Sequence, residues 1–154
     1  MIFFLLACTT TDNLPDVLDG VDAAAADIDT LVADHVAAVG AAVDTDAVAA
    51  LETDYTTAWT EKSAAMADAL DMASQCAMDD ADGVAMDGCT TAMDAMTAEV
   101  TAHAAAGCAT LDDCTAAETT HQAAMTGYTD TVRAAETDWN DGTMECAMGG
   151  MSGM

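Results

Sequence analysis

Hydrophobic positions recur along this chain at alternating spacings of three and four residues, interrupted at three places, and that rhythm predicts helices separated by turns. Leu14, Leu18, Val21, Ala25, Ile28, Val32, His35, Val39 and Ala42 form one sustained heptad seam, so a first helix is expected over residues 16–42. Asp44-Thr45-Asp46 suits an N-cap, and a second helix is expected over 47–77. It carries Val48, Leu51 or Glu52, Tyr55, Trp59, Met66, Ala69, Ala73 and Cys76, with Lys62 on the same stripe. The acidic, glycine-containing stretch from Asp79 to Gly83 breaks the pattern. A third helix over 87–106 has two possible registers, one through Cys89, Met93, Met96, Val100, His103 and Gly107, the other through Ala92, Met96, Glu99, His103 and Ala106. After the turn at Gly107 to Asp113, a fourth seam runs through Leu111, Cys114, Glu118, His121, Met125, Tyr128, Val132, Ala135 and Trp139. Asn140-Asp141-Gly142 is expected to end it.

Connections this short force neighbouring helices to run antiparallel, so the expected fold is all-α, an up-down-up-down four-helix bundle over residues 16–142. A short apolar segment (1–7) and a linker (8–15) precede it, and a flexible Met/Gly-rich tail (143–154) follows. With 154 residues the chain suits one domain. Its 53% hydrophobic content argues against acidic disorder.

Charge narrows the partners. Lys62 and Arg133 stand against 28 acidic residues, a formal charge of −26 that repels phosphate backbones and excludes nucleic acid as a partner.

Ala-rich seams bury little apolar area per residue, so covalent staples would help. Cys76 and Cys89 flank one turn and Cys108 and Cys114 flank another, and each pair is expected to close a short disulfide loop. Cys89 and Cys108 are separated by 19 helical residues, about 28 Å, and cannot pair. Cys146 is then either a free thiol or a competitor for Cys76 or Cys89.

The candidate chemistry lies in the few residues that depart from the Ala/Asp/Met background. All three histidines, His35, His103 and His121, fall on seams. Counted from the turns at about 1.5 Å per residue, they lie within roughly 6 Å of one another along the bundle axis. Glu52, Glu99 and Glu118 fall at the same height, in a chain with 22 Asp and only 6 Glu. Between the third and fourth helices, Glu99 should face His121 and His103 should face Glu118, with Tyr55 supporting from one turn below Glu52. Buried carboxylates are rare unless paired or bound to a cation. Imidazoles and carboxylates at one height form a ligand set for a transition metal ion such as Zn, Fe, Mn or Cu. The competing reading is a metal-free polar layer that sets helix register. At the other end, Met144, Cys146, Met148, Met151 and Met154 place soft sulfur donors three or four residues apart, a pattern suited to Cu(I).

Two stretches resemble known families. Leu5-Leu6-Ala7-Cys8, followed by polar residues, resembles the lipobox of bacterial lipoproteins. That resemblance implies a lipidated Cys8 as mature N-terminus, export across the inner membrane and a lipid anchor at the cell envelope, in the periplasm or on the outer surface. Glu118-Thr119-Thr120-His121 resembles the Glu-x-x-His motif of ferritin-like di-metal carboxylate bundles, and Glu52 matches their lone Glu. Glu99 and His103 are spaced one residue wider than that motif, and His35 stands where a Glu is expected. The resemblance implies a di-metal oxidase or ferroxidase. The residues themselves point to metal sequestration, delivery or sensing, which the lipobox resemblance would place at the envelope, with no catalytic residue assigned. A metal-free structural lipoprotein is the remaining alternative. Calcium-loop spacing, phosphate-binding loops and nucleophile elbows are not found.

Overall fold

In the computed structural model the backbone is described for residues 14–74 and 80–149, and side chains for 18–74 and 86–138. Four helices follow in order: α1 (Leu14–Gly40), α2 (Thr45–Ser74), α3 (Asp80–Ala106) and α4 (Leu111–Gly149). Each helix packs on the next in sequence and α1 closes the ring against α4, while α2 and α4 barely touch. This is the square, antiparallel four-helix bundle that the short connections require.

The α1 seam is buried along its length: Leu18, Val21, Ala25, Ile28, Val32, His35 and Val39 all face inward. On α2 the buried stripe is Val48, Tyr55, Trp59, Met66, Ala69, Leu70 and Ala73. Lys62 interrupts it by reaching outward to Asp27 of α1 at 2.6 Å. In α3, Cys89, Met96 and Val100 of the first register are buried, joined by Ala92 of the second. On α4 the seam passes through Cys114, Glu118, His121, Met125, Thr129 and Val132. Thr129 rather than Tyr128 takes the fully buried position, because its hydroxyl donates to Asp29 of α1 at 2.7 Å. Arg133 reaches the same carboxylate at 2.7 Å. Both cations of the chain therefore tie a neighbouring helix to the acidic face of α1.

The turns at one end are closed by local chemistry. Asp44 accepts a hydrogen bond from the Ala47 amide at 2.8 Å and caps α2. Gly107, at φ 58°, takes the left-handed conformation that ends α3. Thr110 then accepts from the Asp113 amide and donates to the Asp113 carboxylate, a reciprocal cap on α4. The Cys108–Cys114 disulfide spans this turn with its Cα atoms 5.1 Å apart. Beneath it Val39, Val48 and Cys114 form a small apolar cluster separate from the main core.

Two boundaries and one disulfide differ from expectation. The Asp-rich stretch before residue 87 does not stay out of α3: the helix begins at Asp80. Likewise α4 continues past Asn140-Asp141-Gly142 to Gly149, so the backbone carrying Met144, Cys146 and Met148 is helical, while Met151 and Met154 lie outside the described residues. The earlier start of α3 removes Cys89 from the turn. It sits nine residues into the helix, roughly 14 Å from its end, as a fully buried free thiol facing the Val132 carbonyl. Burial pushes that thiol up to about 11. The expected Cys76–Cys89 disulfide is thus not formed, and Cys76 itself lies outside the described residues. Among the described residues no helix is long and apolar enough to cross a membrane.

Met96 is fully buried while Met72 is half exposed. Met96→Ala is therefore expected to lower unfolding stability by about 2–5 kcal/mol, and Met72→Ala by no more than about 0.5 kcal/mol. Urea titrations with unchanged slopes would measure both, and equal effects would contradict the core assignment.

Candidate metal centre

Each of the four helices contributes one donor to a single point in the upper bundle. His35 comes from α1, Glu52 from α2, His103 from α3 and Glu118 from α4. The seams that bury the apolar residues also carry these four, so the fold aims them inward without any special backbone feature.

Their donor atoms alternate around a ring. His35 Nε2 lies 3.3 Å from Glu52 Oε1 and 3.3 Å from Glu118 Oε1. His103 Nε2 lies 3.2 Å from Glu52 Oε1 and 2.9 Å from Glu118 Oε1. All four atoms fall within 4.8 Å of one another. An ion held by bonds of about 2.0–2.1 Å separates adjacent donors by roughly 2.9 Å in a square-planar arrangement and roughly 3.3 Å in a tetrahedral one. The ring fits a four-coordinate ion with little rearrangement.

Hydrogen bonding alone leaves the ring incomplete. Glu52 Oε2 and Glu118 Oε2 are buried and have no hydrogen-bond partner among the described residues. Buried carboxylate oxygens without a donor are costly, and a cation that either carboxylate can grip through both oxygens would satisfy them.

The ring's electrostatics are strongly coupled. Burial alone would lower His35, but its bonds to Glu118 and Glu52 outweigh that and raise it to about 9. Glu118 and Glu52 raise His103 to about 10, against a smaller opposing effect of burial. Burial pushes Glu52 and Glu118 upward, yet the two imidazoles hold both carboxyls well below their ordinary range. At neutral pH the metal-free ring therefore holds two imidazolium cations and two carboxylates. A divalent cation replaces the two imidazolium protons charge for charge, so metal uptake releases protons.

His121 and Glu99 stand beside the ring rather than in it. His121 Nδ1 is 3.1 Å from Glu99 Oε1, and its Nε2 is 2.8 Å from the Tyr55 hydroxyl. Burial, aided by the charge of His103, lowers His121 and keeps it neutral. Burial and the surrounding carboxylates push the Tyr55 phenol up, keeping it protonated. The network thus assigns Nδ1–H as donor to Glu99 and Nε2 as acceptor from Tyr55. Tyr55 stacks on His35 with ring centroids 4.2 Å apart, and His121 stacks on His103 at 4.1 Å. The two donor imidazoles are each backed by an aromatic plate, and a hydrogen bond joins the plates.

A cavity of about 410 Å³ meets the ring between α2, α3 and α4, walled in part by Glu52, His103, Glu118 and the Cys108–Cys114 pair.

All six expected residues are adjacent, and the expected facing pairs Glu99–His121 and His103–Glu118 are present. Tyr55 supports as expected. Periodicity could not show that the six divide into four donors and a buttressing pair, because the division depends on side-chain direction within one turn. The stacking and the unpartnered oxygens were equally beyond spacing. Cys8 lies outside the described residues, as do Met151 and Met154, and the side chains of Met144, Cys146 and Met148 are not described. No protein-family model, curated protein or solved structure matches this chain.

The pKa directions define a stability profile for the metal-free protein. The contribution of His35 and His103 is complete below their ordinary value of 6.5 and is lost as pH rises through about 9 to 10. That of Glu52 and Glu118 is complete above 4.5 and is lost on acidification. His121 titrates in the opposite sense below 6.5 and leaves the alkaline limb unaffected. The Tm of metal-free protein should fall between pH 6.5 and about 10, and the His35→Gln/His103→Gln variant should lose most of that slope. An unchanged slope would show that the imidazoles are not paired with the carboxylates.

Proposed function

We propose that this protein binds one divalent transition metal ion through His35, Glu52, His103 and Glu118 and serves in metal sequestration, delivery or sensing. The observation that carries this reading is the convergence of one nitrogen or oxygen donor from each helix, within 4.8 Å of one another, with two buried carboxylate oxygens left unpartnered. Mixed imidazole and carboxylate ligation suits Zn, Fe or Cu. Glu99, His121 and Tyr55 orient the donor rings from behind, as outer partners of metal ligands do. A single donor ring supports a one-metal site in preference to di-metal oxidase chemistry. The Leu5-Leu6-Ala7-Cys8 segment supports a place at the cell envelope with Cys8 as the lipid anchor. The sulfur-rich stretch from Met144 to Met154 supports a separate, softer Cu(I) site.

Titration calorimetry and elemental analysis with Zn(II), Fe(II) and Cu(II) test the reading. One equivalent should bind at the ring. Glu118→Gln and His103→Ala should weaken it more than about 100-fold, and Tyr55→Phe by about 10- to 100-fold. Circular dichroism should show each variant still helical. Helical variants that bind as the unaltered protein does would place the metal elsewhere.

A further inference from the structure

The donor ring is not sealed on all sides. Glu52, His103 and Glu118 line the cavity of about 410 Å³, whereas His35 does not. His35 is instead covered by the Tyr55 ring stacked on it. The two exposures agree: the Glu52 side chain is 19% exposed and that of His35 3%. The donor set is thus closed toward α1 and open toward the space between α2, α3 and α4.

That space is large for a solvent channel and of the size that holds a small ligand. Besides the three donors its wall includes Val48, Ala49, Thr53, Thr56, Ala104 and Ala117. Among the described residues no Lys or Arg side chain lines it. Any anion entering must approach a protein of charge −26 and then the two ring carboxylates, with no Lys or Arg along the way to offset its lost hydration. A divalent ion balanced by two carboxylates leaves the site without net charge, so a neutral molecule meets no such penalty.

Resting on the metal-binding reading above, we infer that the cavity admits a small neutral ligand, of the class of dioxygen, nitric oxide or peroxide, to an additional coordination position on the bound metal, on the side facing away from α1. The protein then presents its metal to an incoming molecule and does not merely enclose it. Ala49 of α2 and Ala104 of α3 both line the cavity and carry no donor atom, so added bulk there would obstruct the approach without altering the ring.

The test uses the full chain loaded anaerobically with Fe(II), with loading measured by elemental analysis before any ligand is added. Nitric oxide should produce the ferrous-nitrosyl electron paramagnetic resonance signal with one nitric oxide per iron, and azide should leave the loaded protein's spectrum unchanged. Ala49→Phe, and independently Ala104→Phe, should retain Fe(II) affinity within about two-fold while slowing nitric oxide association about ten-fold or more. Stoichiometric iron with no nitrosyl signal would overturn the inference and leave metal binding standing. A signal that forms equally fast in both Phe variants would overturn the assigned route. Zn(II) or Cu(II) loading without Fe(II) loading would overturn the inference alone, and failure of all three ions to load would overturn the metal-binding reading and the inference with it.

Discussion

Two imidazoles and two carboxylates, one from each helix, must share a single point inside a bundle whose core is otherwise mostly aliphatic side chains and Met. Charges taken from water into such an interior are tolerated only if each faces its opposite. Four helices have to agree in height and rotation for that to happen, because a shift of one turn on any helix strands one charge among apolar side chains. Ala-rich seams can slide past one another with little loss of burial. The polar ring supplies the register that those seams leave underdetermined.

The same constraint explains why the ring suits a metal. Its charges balance with two protons or with one divalent cation, so the helices need not move to change occupant. Tyr55 and His121 stack on the donor imidazoles and hydrogen-bond to each other, and Glu99 anchors His121 from near the surface. Rings so held present Nε2 inward and lose little freedom on binding an ion. The disulfide at the α3–α4 turn fixes the nearby ends of the two helices that carry His103 and Glu118. The acidic surface is a separate matter: most Asp residues are solvated, and the informative carboxylates are Glu52, Glu99 and Glu118.

The bundle was legible because its signal is repetitive. Seven buried positions of α1 follow the heptad seam without a slip, and the cap at Asp44 sits where the turn residues place it. Helix ends were less legible, because a local breaker need not end a helix: Gly83 lies within α3 and Gly142 within α4. The late start expected for α3 set Cys89 beside a turn, whereas it lies buried within the helix as a free thiol. The height of the His/Glu layer followed from counting residues, since rise per residue is nearly constant. What counting could not supply was direction within the layer. Glu118 and His121 lie one turn apart on α4, yet Glu118 joins the donor ring and His121 is turned to Tyr55 and Glu99. Thr129 was missed for a related reason: its burial depends on Asp29 across the α1–α4 interface, a partner that no pattern within α4 reveals.

X-ray absorption at the zinc edge of the protein loaded with one equivalent of Zn(II) addresses the centre itself. The ring should give a shell of nitrogen and oxygen at about 2.0–2.1 Å, with the outer scattering of two imidazoles and no sulfur. A zinc–sulfur distance near 2.3 Å, or a shell without imidazole scattering, would contradict the assignment of His35, Glu52, His103 and Glu118 as the metal site.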